Sequence, residues 1–346
     1  MPCARKLLLP TLAIIVAFAW HAGGLAALLI NAAGSTFVYP LQAKWFAVYA
    51  DLDHGVEFNY QSIGSGGGIR QLINRTVDMG ASDAPMTDEQ LKNAPGKILH
   101  FPTVLGADVI TYNLPEAGAK LRLTGTVIAD IYLGKITKWD DPAIARINPT
   151  LKLPAADLVV CHRSDGSGTT YIFADYLSKI SPQWEKQVGR STSLRWPVGL
   201  GGKGNEGVTA LVKQTAGAIG YVELVYALGN KLPVAEVRNR DGNWVMPSLD
   251  SVTAAAANSV AQMPADFRVS ITDAGGEVSY PISSYTYLLV YQHQTSLAKG
   301  KAIVGFLEWA LHDGQRYAAP LFYAPLPTQV VALEDAQIKT IQLPAP

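Results

Sequence analysis

Arg163 ends an apolar run, Leu158-Val159-Val160-Cys161-His162, that reads as a strand. It is followed by Ser164-Asp165-Gly166-Ser167-Gly168-Thr169-Thr170 and then by Tyr171, Ile172 and Phe173. Asp165-Gly166 supplies a tight turn, and Ser167 or Thr169 can cap the helix that the apolar residues begin. Such a turn gathers unpaired backbone N–H groups, small hydroxyls, glycines that admit a ligand, and one guanidinium fork at the positive end of a helix dipole. That is a cradle for an anion. The same letters also fit an ordinary capped helix with a surface Arg. What favours the cradle is a second one: the alternating strand Val56 to Tyr60 leads into Gly64-Ser65-Gly66-Gly67-Gly68 and a helix carrying Ile69, Leu72 and Ile73.

Asp83 sits in an uncharged neighbourhood, Gly80-Ala81-Ser82-Asp83-Ala84-Pro85, at a third strand end. Its side chain can cap the next turn as readily as face a ligand. A carboxylate in an anion site makes sense only if the anion brings a proton. Gly199 to Gly204 spells G-x-G-x-x-G, but it follows Trp196-Pro197 instead of a clear central strand, so it reads as a structural turn near the cleft and not a nucleotide site. Neither Ser65 nor Ser167 has Gly two places before it, which excludes a nucleophile elbow there. The histidines are scattered without metal spacing, and His162 should point away from the face that Arg163 uses. Catalytic residues, a metal and a cofactor are therefore not expected.

The first 26 residues read as an export signal: Arg5 and Lys6, an apolar run from Leu7 to Trp20, then small residues Gly24-Leu25-Ala26. That run is shorter than the roughly 20 residues a membrane span needs. The remainder suits two domains of about 150 residues each. With 28 basic and 28 acidic residues, nucleic acid is not an expected partner. Only Cys161 remains after the signal, so no internal disulfide is available, and no Cys follows the apolar run to take a lipid. A charged fraction of 16% beside 49% hydrophobic residues fits a large α/β interior.

Three strand-then-helix units open the chain: Leu28 to Phe37 with a helix bearing Leu41, Trp45, Phe46 and Tyr49, then the Gly64 unit, then the Asp83 unit with a capped helix from Thr87. Their repetition predicts a parallel sheet whose loops gather at one end, where ligands of such folds bind. Phe101 to Asn113 and Pro281 to Gln292 read as two strands crossing between domains, which implies a hinge. Between them lie a helix over Val127 to Leu133, a helix start at Asp141-Pro142, the Arg163 motif, a Gly-rich loop over Leu194 to Gly204 and a helix from Asn205. A strand at Ile219 to Val222, a hairpin over Val237 to Val245 and an Ala-rich helix over Leu249 to Met263 follow. Helices near Leu297 to His312 and Thr328 to Thr340 complete the first domain.

In order, Ala33-Gly34-Ser35-Thr36-Phe37, Ile63-Gly64-Ser65-Gly66-Gly67, Gly80 to Pro85, Asp130-Ile131-Tyr132-Leu133-Gly134-Lys135-Ile136, Arg163 to Thr169, Gly199 to Gly204 and Gly217 to Glu223 resemble the periplasmic phosphate-binding protein of bacterial ABC phosphate importers. The resemblance implies an α/β, two-lobed, type II periplasmic-binding-protein fold hinged by two crossing strands. Residues 1–26 would be the signal, 27–110 with 282–346 lobe I, and 111–281 lobe II. Inorganic phosphate would meet Thr36, Phe37, Ser65, Asp83, Arg163, Ser167, Gly168 and Thr169, with Asp165 holding Arg163. The implied protein is a periplasmic monomer without cofactor that hands phosphate to a membrane permease and catalyses nothing. The alternative keeps the fold and changes the anion to sulfate or molybdate. Val38, Gly66 and His162 depart from the residues common in the family, none of them at an implied contact.

Overall fold

The computed structural model describes residues 27–117, 121–257 and 260–345. The expected export signal lies outside the described residues. The chain opens with β1 (Leu28–Gly34), α1 (Tyr39–Leu52), β2 (Val56–Ser62), α2 (Ser65–Ile73), β3 (Met79–Ser82) and α3 (Asp88–Asn93). β1 pairs in parallel with both β2 and β3, as the repeated units predict. Local chemistry sets the ends: Pro40 starts α1, and Thr87 and Gln90 form a reciprocal capping box on α3.

β4 (Ile98–Tyr112) is buried along its whole length, so its sequence shows no polar alternation. Beyond it come β5 (Arg122–Leu123), α4 (Gly125–Tyr132), α5 (Pro142–Ala145), β6 (Val159–Arg163), α6 (Gly168–Ile180) and α7 (Pro182–Gln187). The chain continues through β7 (Leu200–Gly202), α8 (Gly204–Gln214), β8 (Ala218–Glu223), α9 (Leu224–Gly229), β9 (Glu236–Arg238), β10 (Trp244–Val245) and α10 (Leu249–Ala257). It ends with β11 (Ser283–Tyr291), α11 (Leu297–Leu311) and α12 (Thr328–Ile338).

The strands lie in the order β2-β1-β3-β11-β4-β8-β6-β7, with a small sheet β10-β9-β5 beside them. β4 joins the two halves. Its residues up to Ala107 pair with β11, the last register being Ala107 with Ser283; from Asp108 onward it pairs with β8, beginning at Glu223. β6 lies parallel to β8 and β7, so the strand that carries Arg163 ends at the same rim as the helix starts that follow it. This is the two-lobed α/β architecture expected from the sequence.

Two details differ from the sequence reading. The Gly-rich loop contains an edge strand, because Leu200–Gly202 pairs with Cys161–Arg163 and its glycines hide any alternation of side chains. The Ala-rich helix is described over Leu249–Ala257, and Val260–Gln262 form a 3-10 turn ahead of Pro264 where the sequence reading continued the helix. Among the described residues, no helix is long and apolar enough to cross a membrane, and no cluster of His, Cys, Asp and Glu has the makings of a metal site.

Candidate functional site

Arg163 is the last residue of β6 and is only 2% exposed. Its backbone N–H donates to the Tyr221 hydroxyl at 3.2 Å, and that ring stacks on Phe173 of α6 at 4.3 Å between centroids. Nε and Nη2 donate to the two carboxylate oxygens of Asp165 at 2.7 and 2.6 Å, and Nη1 donates to Thr169 Oγ1 at 3.1 Å. A guanidinium carries five N–H groups. Two therefore remain for another acceptor. Burial pushes the Asp165 carboxyl up, but the hydrogen bonds and charge of Arg163, with the Gly204 N–H, outweigh it and hold Asp165 below the usual range. His162 points away, as expected, and stacks on Trp196.

Ser167 caps α6, accepting the Thr170 N–H at 3.0 Å. The capping question left open by the sequence thus falls to Ser167. Thr169 is free to receive Arg163 and Asn205 instead, the latter through Nδ2 at 3.1 Å. The first helix turn of α6 presents its N–H groups, and with them the positive end of its dipole, toward Ser65 and Asp83.

On the opposite rim, Asp83 follows β3 and is 1% exposed. Its Oδ1 accepts Ser35 Oγ at 2.5 Å and Thr286 Oγ1 at 2.8 Å, while Oδ2 accepts Ser65 Oγ at 3.3 Å. Burial raises the carboxyl to about 6, and the hydrogen bonds from Ser35, Thr286 and Ser65 together with the Arg163 charge restrain the rise. Near neutral pH it is mainly an ionised acceptor. Ser65, the first residue of α2, donates its hydroxyl to Asp83 and accepts from the N–H groups of Asp83 and Gly168 at 3.2 and 3.1 Å. Gly64, at φ +86, leaves no room for a side chain because Asp165 and the Gly166 carbonyl lie against it.

Thr36 and Phe37 form the loop between β1 and α1. Thr36 Oγ1 accepts the Asn205 side chain at 2.7 Å, and the Thr36 carbonyl accepts the Tyr226 hydroxyl at 2.6 Å. The Phe37 N–H donates to Ser35 Oγ at 3.0 Å. The structure thus brings the residues that the resemblance implied as contacts, with Asp165, to one largely buried seam.

Several members of that seam escaped the sequence reading. Ser35 stood inside a quoted motif without a role, Asn205 followed the Gly-rich loop, and Thr286 was hidden in an apolar crossing strand. Asp108 and Glu223, both fully buried, also lie beside it. A lone charge inside the uncharged run Phe101 to Tyr112 was the available signal for Asp108.

The PBP superfamily domain matches residues 21–313. The phosphate-binding protein PstS of Pasteurella multocida is 46% identical over 312 residues, covering 90% of each chain. The chain belongs to the PstS family of phosphate-binding proteins. PstS of Methanocaldococcus jannaschii, at 40% identity over 88% of this chain and 84% of its own, shows how far that likeness extends. Among solved structures, a high affinity periplasmic phosphate-binding protein bound with phosphate superposes with a TM-score of 0.70 at 21% identity, covering 89% of this chain and 93% of its own. A phosphate-binding protein from Stenotrophomonas maltophilia gives 0.66 at 18% identity, covering 90% and 94%. At these identities the superpositions establish the two-lobed fold.

Proposed function

We propose that the chain captures inorganic phosphate outside the cytoplasm and delivers it to the membrane permease of an ABC importer. The observation that carries this reading is one buried seam that joins the Asp83 carboxylate, bonded by Ser65, to the N-terminus of α6, whose Gly168 N–H meets Ser65, and to Arg163, which grips Thr169 and acts on Asp83 through its charge. Donors alone would suit any oxyanion. An ionised carboxylate among them suits an anion that still carries a proton, as phosphate does near neutral pH.

The contacts we propose are Thr36, Phe37, Ser65, Asp83, Arg163, Ser167, Gly168 and Thr169, with Asp165 fixing the Arg163 fork. Residues 27–110 with 282–346 form lobe I, and 111–281 form lobe II, so that the anion is held between them and favours their closure. The protein acts as a periplasmic monomer freed of residues 1–26, with no chemistry of its own.

Calorimetric titration of the purified protein tests this reading. Phosphate should saturate one site per chain, and sulfate or molybdate at the same concentrations should give no binding heat. Tight sulfate binding would transfer the site to another oxyanion.

A further inference from the structure

Among the described residues, Asp108 is a carboxyl without a side-chain hydrogen-bond partner, in the middle of the molecule. It has no exposed surface, and neither Oδ atom meets a hydrogen-bond donor. It stands at the step where β4 leaves β11 for β8, directly opposite Glu223. Two residues earlier, on the same face of β4, Gly106 lies under the Phe37 ring, and a Cβ there would be 3.3 Å from Glu223 Oε1. Glu223 is also fully buried; its Oε2 accepts the Val225 N–H at 2.6 Å, and its Oε1 has no partner. This face therefore holds two acidic side chains beside the loop that carries Thr36 and Phe37.

An ionised carboxylate cannot be left buried and unpartnered cheaply; it takes a proton instead. The groups facing Asp108 offer no rescue. Arg163 from β6 is within electrostatic reach, but no hydrogen bond joins it to Asp108. Asp83 just after β3 and Glu223 from β8 are acidic, and Tyr221 from β8, Tyr132 from α4 and Tyr280 ahead of β11 present phenols. Burial accordingly raises the Asp108 carboxyl well above the usual range, against the pull of Arg163 and with the push of Asp83.

We propose that Asp108 is a further positioning member of the anion site: it takes up a proton from solvent as the lobes close and presents an O–H, in place of a charge, to the space between Arg163 and Asp83. The inference rests on the phosphate reading above. On this proposal, opening of the lobes admits water to the strand handover, and Asp108 ionises there. Closure on an oxyanion with that charge kept would set the anion and three carboxylates, Asp83, Asp108 and Asp165, against one shared guanidinium. Protonation removes one of them and supplies a donor. By linkage, affinity then falls with rising pH by up to about tenfold per unit more than in a protein without this group. The window runs from the ordinary carboxylate range, about 4, up to the raised value of the closed state.

The test is phosphate calorimetry at pH 7 in buffers of different ionisation heat, with wild type, Asp108→Asn and Asp108→Val. Asn keeps the size and a donor; Val keeps neither. Because the ligand's own ionisation is common to all three, the difference isolates Asp108. Wild type should take up close to one more proton per phosphate than either variant, and Asp108→Asn should lose the extra pH dependence while still binding. Equal proton counts with phosphate binding intact would overturn the proposal. Absence of phosphate binding in wild type would instead overturn the reading on which it rests. Should both variants fail to fold, infrared difference spectra of wild type decide: a protonated-carboxyl band that grows on phosphate addition supports the uptake, and an unchanged band overturns it.

Discussion

Ser65 and Gly168 meet across the cleft: the Gly168 N–H donates to Ser65 Oγ at 3.1 Å, and a Cβ placed on Gly168 would run into that same oxygen and into the Asp83 side chain. The hydroxyl at the start of α2 and the first residue of α6 thus approach as closely as a residue without a side chain permits. Any side chain at position 168 would collide with Ser65 and Asp83 in this arrangement.

Gly168→Ala should therefore hold the lobes apart. Overpacking of this kind costs about 1 to 3 kcal/mol, which corresponds to roughly 5-fold to 150-fold in affinity. The fold itself should stand, since Ala is a better helix residue than Gly. Titration with phosphate, paired with small-angle scattering, checks both parts. Wild-type affinity together with a wild-type radius of gyration in the presence of phosphate would show that the contact does not limit closure.

Arg163→Lys should bind phosphate weakly and Arg163→Ala more weakly still. The fork grips Asp165 with one edge and still has two N–H groups to give, whereas Lys offers a point charge with no fixed geometry. Loss of a buried charged partner costs about 2 to 5 kcal/mol, or roughly 30-fold to several thousandfold in affinity. Equal affinity in wild type and Arg163→Ala would remove the residue from the site.

Stability should fall on mild acidification for a reason remote from the cleft. Burial lowers the His100 imidazole to about 4, with the Arg268 charge adding to the effect and Asp266 opposing it. Its Nε2 accepts the Met86 N–H at 3.0 Å, so the ring must be neutral there. A depressed folded-state value means that the stabilisation is complete above the unfolded value of about 6.5 and is lost as pH falls toward 4. The loss amounts to at most about 3 kcal/mol. Melting temperatures from pH 7.5 to 4.5 should drop more steeply for wild type than for His100→Gln, which keeps an acceptor and cannot titrate. Parallel curves would assign the acid sensitivity elsewhere.

The architecture was legible because its signals are local. Strand-to-helix turns marked by Gly, Ser and Asp announce parallel units, and the long apolar runs at Phe101 and Pro281 announce the crossing strands. The residues of the cradles were legible for the same reason: Arg163, Asp165 and Ser167 lie within five positions of one another. What stayed hidden was partnership at a distance. Thr286 reaches Asp83 from 203 positions away, and Asn205 reaches Thr36 from 169. β7 was missed because a strand of Leu-Gly-Gly exists through its main-chain pairing with β6 and through nothing in its side chains.

The last prediction concerns how sulfate is refused. Asp83 is held by three hydroxyls, from Ser35, Ser65 and Thr286, so it cannot swing away from an entering anion. With its carboxyl raised to about 6, it is mainly ionised at pH 7.5 and is able to accept a proton shared by phosphate. Sulfate has none to share, and its oxygens would face the carboxylate acceptor to acceptor in a site without water. Such a like-charge contact costs several kcal/mol, enough to exclude sulfate by a few thousandfold. Asp83→Asn replaces that charge with an amide able to donate. It should weaken phosphate binding only moderately and make sulfate measurably competitive. The sign of the pH effect follows: in wild type, lowering the pH through about 6 protonates Asp83, gives it a donor of its own and should relax the discrimination, whereas the variant should show no such change. Competition of sulfate against radiolabelled phosphate at pH 7.5 and 5.5 measures all of these. If the variant still refuses sulfate at both values, repulsion at Asp83 is not the source of selectivity, and the discrimination must come from the shape of the closed seam.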